Sequence, residues 1–322
     1  MTFGGTGVWE AIGKLQQEEV NEMMKAVVDA GINFIDTANV YSLGHSEQLL
    51  GKAIHQAGFN RQELVIATKV KGRMGEGINQ VGLSRFHVMQ SVDDSLSRLQ
   101  MDHIDILYVH GVDYYTDVED IMRTLNDLVV SGKVRYIAVC NWPAWMVMKS
   151  IAISQREGWN QFVGLQYFYS LACRDIEREI VPLGIDQRLA IFPWSPLAGG
   201  FLSGKFSRNQ EKAGNARRDV FDFPPINKGK AYDIIDVMQI IAKNHGVSVA
   251  QVALAWVRNK PWVTSTIIGA KSTLQLKDNL ESTLLVLTRE ESEELNRVSQ
   301  PIAEYPGWML ERQHADRLSP KR

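Results

Sequence analysis

The chain has 322 residues, 45% of them hydrophobic, and carries 35 Lys and Arg against 37 Asp and Glu for a net charge of -2. That composition supports a large core, and the near-neutral balance offers no broad field for nucleic acid or anionic lipid. No apolar stretch approaches the roughly 20 residues that span a bilayer, and the start from Met1 to Glu10 has neither a basic head nor an apolar signal core. Cys140 and Cys173 match no disulfide scaffold, zinc site or redox pair. A protein of the reducing cytoplasm, away from membrane and nucleic acid, is expected.

After a short Gly-rich start, apolar residues at Val20, Met23, Met24 and Val27 predict a helix over Glu18 to Ala30, which Gly31 breaks. Strand Ile32 to Asp36, helix Ser46 to Gln56, strand Leu64 to Val70, helix Ser84 to Leu99 and strand Ile104 to His110 follow. The alternation continues with helix Val118 to Ser131, strand Val134 to Val139, helix Pro143 to Glu157, strand Phe162 to Gln166, helix Asp175 to Leu183 and strand Ala190 to Trp194. Gly132 and Gly184 mark helix ends. Ser207 to Lys230, rich in charge, Gly, Asn and Pro, breaks the rhythm and reads as a long functional loop. Helices Ala231 to Asn244 and Val249 to Asn259, strand Val263 to Ile268, helix Ser272 to Leu280 and a helical tail from Arg289 complete the chain. Seven strands after an N-terminal stub at Met1 to Gly5, each followed by a helix, predict an α/β fold with a parallel sheet. The architecture is a (β/α)8 TIM barrel with a shortened or truncated first strand, in one domain over residues 1–322.

In such a barrel the chemistry collects where strands end. Asp36, Tyr41, Lys69 and His110 lie just beyond three successive strands and so face one mouth. A phenol can deliver a proton to a developing alkoxide, and a nearby ammonium stabilises the phenolate left behind and lowers its pKa. Asp36 would hold that ammonium, and His110 would polarise the substrate oxygen. Each residue alone also fits a turn, cap or structural role; the four types at one level of the barrel give the pattern its meaning.

The same residues resemble the aldo-keto reductase superfamily, in the branch similar to potassium-channel beta subunits and aryl-alcohol dehydrogenase-like reductases. The likeness runs through GINFIDTANVYSLGHSEQLLGKAI at 31–54, ATKV with Lys69, ILYVH with His110 and GKVRYIAVCNW at 132–142. It continues in QYFYSL from Gln166, PWSPLAGGFLSGK at 193–205 and IIGAKSTLQLKDN at 267–279. The resemblance implies reduction of a small carbonyl substrate by NADPH, reversible as alcohol oxidation, with Tyr41 as proton donor. It implies Asn141 and Gln166 on the nicotinamide carboxamide, Trp194 stacked on the ring, and Ser195, Leu197, Gly199 and Gly200 along the pyrophosphate. Lys205 and one of Arg217 or Arg218, with Arg218 preferred, match the strap at 205–230. Gly269, Lys271, Gln275, Asp278 and Asn279 match the adenosine end.

A helix starting near Ser272, with Lys271 beside it and no acidic residue ahead, favours the 2'-phosphate of NADP, although Ser272 and Gln275 also spell a capping box. No metal site is expected. Two departures stand out: Cys140 occupies a position where many relatives carry serine, and the family's first barrel strand precedes the match to Met1. A missing strand would leave unpaired edges on the second and eighth strands. Trp9, the Gly72 to Gly82 insert, Tyr114, Tyr115, Trp142 and Tyr305 to Met309 are candidates for an aromatic substrate pocket. The resemblance also admits a cofactor-binding regulatory subunit, and Lys69 alone admits a Schiff-base lyase. The oligomeric state stays open.

Overall fold

A computed structural model describes residues 1–210, 214 and 216–318. Six strands form one parallel sheet in the order β1 (Phe34–Asp36), β2 (Val65–Val70), β3 (Ile104–Val109), β4 (Val134–Cys140), β5 (Phe162–Phe168) and β6 (Ala190–Trp194). The sheet curls into the half-barrel of an α/β chain of (β/α)8 type, because a parallel pair needs a crossover and each crossover here carries a helix.

The helices are α1 (Gln17–Asp29) ahead of the sheet, then α2 (His45–Ala57), α3 (Arg85–Leu99), α4 (Val118–Val130), α5 (Ala144–Glu157) and α6 (Ile180–Asp186) between strands. After β6 come the short α7 (Arg217–Val220), α8 (Lys228–His245), α9 (Val249–Arg258), α10 (Thr273–Glu281), α11 (Arg289–Val298) and α12 (Gly307–Leu318). Among the described residues no helix is long and apolar enough to cross a membrane.

Local chemistry sets the ends of these elements. The Ser84 side chain accepts from His87 N to start α3, and Thr288 with Glu291 forms a reciprocal capping box on α11. At Gly51 a Cβ would sit 2.4 Å from the Leu99 carbonyl, so α2 lies against the end of α3 only because that side chain is absent.

Alternation along the strands divides the core in two. Ile66, Val70, Leu107 and Val109 join the layer packed under the helices. Ala67, Ile106, Tyr108, Ala138, Cys140 and Phe192 form a separate cluster inside the curl. With a period of 2, the next inward positions at the C-terminal strand ends are Lys69 after Ala67, His110 after Tyr108 and Trp194 after Phe192.

The expected terminal strands do not form. Phe3 pairs with Leu15, through Gly4 N to Leu15 O at 2.9 Å and Leu15 N to Thr2 O at 3.2 Å, so Met1 to Gly5 lies on its own chain neighbour. The run Val263 to Ile268 lies beside β6 but makes only one bridge, Ile267 to Trp194. Thr264 N reaches Ile191 O and Ile267 N reaches Pro193 O, three residues against two. Pro193 has no N–H to return, so the ladder cannot propagate.

The predicted helix Asp175 to Leu183 is two pieces, a 3-10 turn at Asp175–Glu177 and α6. Pro182 occupies the first turn of α6, where its missing N–H is harmless, and it blocks extension upstream. Gly184 lies within α6 rather than at a helix end, and a Cβ there would meet Ile191 at 2.7 Å. The 205–230 segment contains α7 and the start of α8, and residues 211–213 and 215 fall outside the described residues.

Candidate active site

Asp36, Tyr41, Lys69 and His110 converge at the C-terminal end of the sheet. Past β1 the backbone stays on β2, with Thr37 N bonded to Ala67 O at 2.9 Å and Asn39 N to Lys69 O at 3.2 Å. A 3-10 turn (Tyr41–Gly44) then follows, with Ser42 and Leu43 at φ 51. That left-handed pair is uncommon for side-chain-bearing residues and marks a turn held by its surroundings.

Lys69 is fully buried. Its Nζ donates to Asp36 Oδ1 and, at 2.7 Å, to the Thr37 carbonyl. The second carboxylate oxygen of Asp36 accepts from Gln166 Nε2 at 2.8 Å. The ammonium lies over the Tyr41 ring, 5.1 Å from its centroid. The Tyr41 ring meets His110 edge-on at 5.7 Å and Trp9 edge-on at 5.1 Å. His110 N bonds Val70 O at 3.0 Å, extending the β2–β3 pairing to the mouth.

Burial pushes the Tyr41 phenol up to about 12, with Lys69 acting in the opposite direction. The cation offsets only part of the desolvation, so the expected lowering of the phenol is not reached. Burial acts to lower Lys69, yet Asp36 and Tyr41 hold the ammonium above its ordinary range. Burial, then Lys69 and Lys71, pushes His110 down to about 3, which makes it a neutral imidazole. The set therefore offers one phenolic proton, a fixed positive charge and a neutral N–H donor.

A second group of residues extends from β4 to α10. Asn141, at φ 57, accepts from Trp194 Nε1 through Oδ1 at 3.1 Å. The Trp194 ring stacks with Phe168 at 5.1 Å and with Phe223 of the 205–230 segment at 6.0 Å. Ser195 Oγ accepts from Gly199 N at 2.8 Å, and Leu197 O accepts from Gly200 N at 2.9 Å. Gly199 and Gly200 have positive φ, and a Cβ on Gly199 would meet the Phe223 carbonyl at 2.4 Å.

Arg217 and Arg218 diverge. Arg218 is buried, with Nη1 on the Ala198 carbonyl at 2.6 Å, Nη2 on the Pro224 carbonyl at 2.9 Å and Asp222 at 2.5 Å. It ties the segment to the β6 loop. Arg217 has a buried Nε without a hydrogen-bond partner. Burial, then Arg218, brings the Arg217 guanidinium down to about 10, while Tyr41 acts in the opposite direction. Lys271 is held below its ordinary range by burial, then by Arg217 and Lys205. Among the described residues these three cations, Lys205, Arg217 and Lys271, make no ion pair, and Lys271 feels the charge of the other two.

At the start of α10, Ser272 Oγ accepts from Gln275 N at 3.3 Å and Gln275 Oε1 accepts from Lys271 N at 2.9 Å, so capping is part of what these residues do. Asp278 is engaged by Ser248 Oγ at 3.0 Å and Gln251 Nε2 at 2.8 Å, holding α10 on α9. Asn279 is buried, with its carbonyl on Ser282, whereas a Cβ on Gly269 would meet nothing within 4 Å.

Of the aromatic candidates, Trp9 contacts the site. Trp142 is core, packed edge-on against Phe162, and Tyr114 and Tyr115 are exposed. Cys140 is buried inside the curl, and burial pushes its thiol up. Two contributors escaped the sequence reading: the Thr37 carbonyl, which no side-chain pattern encodes, and Tyr108, whose inward register next to Lys69 was the available signal.

The aldo/keto reductase family profile matches residues 1–300. The chain belongs to the aldo/keto reductase family. It is 34% identical over 311 residues to versiconal hemiacetal acetate reductase of Aspergillus parasiticus, covering 91% of this chain and 90% of that protein. Over 308 residues it is 33% identical to aryl-alcohol dehydrogenase GME11368 of Pestalotiopsis microspora, covering 92% and 78%. A third relative, described as a probable voltage-gated potassium channel subunit beta of Oryza sativa subsp. japonica, is 32% identical over 302 residues, covering 91% and 92%. Membership makes the chain an oxidoreductase of a family that uses nicotinamide nucleotides on small carbonyl compounds.

Proposed function

We propose that this aldo/keto reductase family member is an NADP(H)-dependent carbonyl reductase, reversible as an alcohol dehydrogenase, with Tyr41 as the proton donor. The observation that carries the reading is the group of three cations without ion-pair partners among the described residues, Lys205, Arg217 and Lys271, electrostatically coupled to the Tyr41 phenol through Arg217. A dinucleotide that brings several phosphate charges to those cations and a reactive ring to the mouth satisfies both ends of the group. NADPH, when bound, supplies the hydride.

In this reading Lys205, Arg217 and Lys271 hold the phosphates, Gln166 and Asn141 hold the carboxamide, and Trp194 offers a ring face. Ser195, Leu197, Gly199 and Gly200 shape the backbone beside the pyrophosphate, and Gly269 leaves open space near the adenosine end. Gln275, Asp278 and Asn279 support α10. Arg218 fixes the strap instead of reaching the nucleotide. The chain is taken as one barrel domain acting in the reducing cytoplasm.

At the mouth, His110 donates its N–H to the carbonyl oxygen and polarises it. Tyr41 delivers its proton to that oxygen as the carbon becomes an alcohol carbon. The Lys69 charge, held by Asp36 and Thr37, stabilises the phenolate until a proton from water restores the phenol. The names of two relatives, a reductase and an aryl-alcohol dehydrogenase, support both directions of the reaction.

The test is a fluorescence titration with NADPH and NADH, followed by a panel of aldehydes and ketones scored by loss of NADPH absorbance. The proposal expects NADPH to bind at least about tenfold tighter, in line with one charge-assisted contact to the 2'-phosphate, and expects steady turnover. Tight nucleotide binding without turnover would favour the regulatory-subunit reading, which the channel-subunit relative supports. Binding of neither nucleotide would remove both.

A further inference from the structure

Two aromatic rings face the Lys69 ammonium. One is Tyr41, at 5.1 Å; the other is Tyr108 of β3, whose ring centroid lies 5.6 Å from Nζ. The β2–β3 register places Tyr108 directly opposite Lys69. Tyr108 is fully buried in the inner cluster, edge-on to Phe192 at 6.4 Å, and among the described residues its hydroxyl makes no hydrogen bond of good geometry, with Gln166 the polar side chain it faces. A buried hydroxyl so loosely engaged adds little to the fold, and the contact with the ammonium is made by the ring. The other groups coupled to Lys69 are Asp36 on β1, Tyr41, His110 beyond β3, Cys140 on β4 and the Met1 amine. Asp36 is the only carboxylate in that set.

An ammonium removed from water is held strongly by aromatic faces, because the negative face of the ring replaces part of its lost hydration. We propose that Tyr108 is a positioning residue for proton transfer at Tyr41, the second aromatic wall that keeps the Lys69 ammonium charged and aimed beneath the phenol. The proposal rests on the reductase reading of the site, and one of its readouts does not depend on turnover.

Replacing Tyr108 by Leu removes the wall, whereas Tyr108→Phe keeps it and deletes only the hydroxyl. In the Leu variant kcat falls about tenfold, as expected for one desolvated cation–ring contact. NADPH affinity stays within about twofold and the solvent deuterium isotope effect on kcat rises, because proton delivery has become the slow step. Tyr108→Phe restores kcat and the isotope effect together. In lysine-labelled protein, the Lys69 side-chain resonances, assigned by their loss in Lys69→Met, are shifted upfield by the ring in wild type and in Tyr108→Phe. They relax downfield in Tyr108→Leu.

If the Leu variant does not fold, Tyr108→Met carries the same comparison with a more adaptable side chain. A Leu or Met variant with wild-type kcat and isotope effect would overturn the proposal, as would a Phe variant as impaired as Leu. If the protein reduces no carbonyl, the reductase reading fails separately, and resonances that stay upfield without the ring still overturn the positioning role.

Discussion

Gln166 Nε2 and Lys69 Nζ bind opposite oxygens of the Asp36 carboxylate, the first at 2.8 Å, so one acid joins β1, β2 and β5 beneath the mouth. Asp36 is thus a structural node as well as the partner of the lysine, and its side chain is only 11% exposed. Changes at Lys69 should register in stability as well as in chemistry.

Lys69→Met leaves that carboxylate buried without its counter-charge. Breaking a buried ion pair from one side costs about 3–5 kcal/mol, whereas neutralising both partners costs much less. Urea unfolding of Lys69→Met, Asp36→Asn and the double variant is expected to show the double variant more stable than Lys69→Met. Additive losses would contradict the pairing.

Arg217 and Arg218 separate by assay. Arg217→Met is expected to weaken NADPH binding by about 10- to 100-fold, the worth of a charge-assisted hydrogen bond, with little change in Tm. Arg218→Met should lower Tm, since the Ala198 and Pro224 carbonyls and Asp222 lose a buried partner. Titration of both variants with NADPH, alongside thermal melts, checks the contrast; equal effects on affinity would contradict it.

His110 contributes a pH dependence of defined sign. Its folded value is pushed down to about 3 by burial and by Lys69 and Lys71, against about 6.5 in an unfolded chain. Between those values the unfolded chain binds a proton that the native state refuses. Stability is therefore full above about pH 6.5 and is lost as pH falls toward 3. Unfolding free energies measured from pH 7 to pH 4 should slope less in His110→Gln than in wild type, and parallel slopes would remove His110 as a cause.

Much of the fold was legible because a parallel barrel writes each strand as an apolar run ended by a polar residue. Leu64 to Val70 and Ile104 to His110 agree with β2 and β3 within one residue at each end. The same rule failed at Val263 to Ile268, where apolar residues recur but Pro193 on the neighbouring strand denies the ladder its donor. It also failed across Asp175 to Leu183, where Pro182 sets a helix start that periodicity alone does not reveal.

At the site, the register that brings Asp36, Lys69 and His110 together follows from strand ends, and the placement of Tyr41 follows from a short turn. Adjacent residues of one type were not separable: Arg217 and Arg218 differ only in the direction each leaves a four-residue helix. Trp142 and Trp9 likewise read alike as sequence, and packing alone puts one in the core and the other against Tyr41.

In the proposed reaction the Tyr41 hydroxyl delivers the proton. Tyr41→Phe keeps the ring that faces Lys69, His110 and Trp9 and removes only that oxygen. The decisive measurement is NADPH consumption with a good aldehyde substrate by Tyr41→Phe, beside NADPH binding by the same protein. The expected result is wild-type affinity for the nucleotide with turnover reduced by about 10²-fold or more, the typical worth of a general acid. Turnover near wild type with the nucleotide still bound would contradict the account.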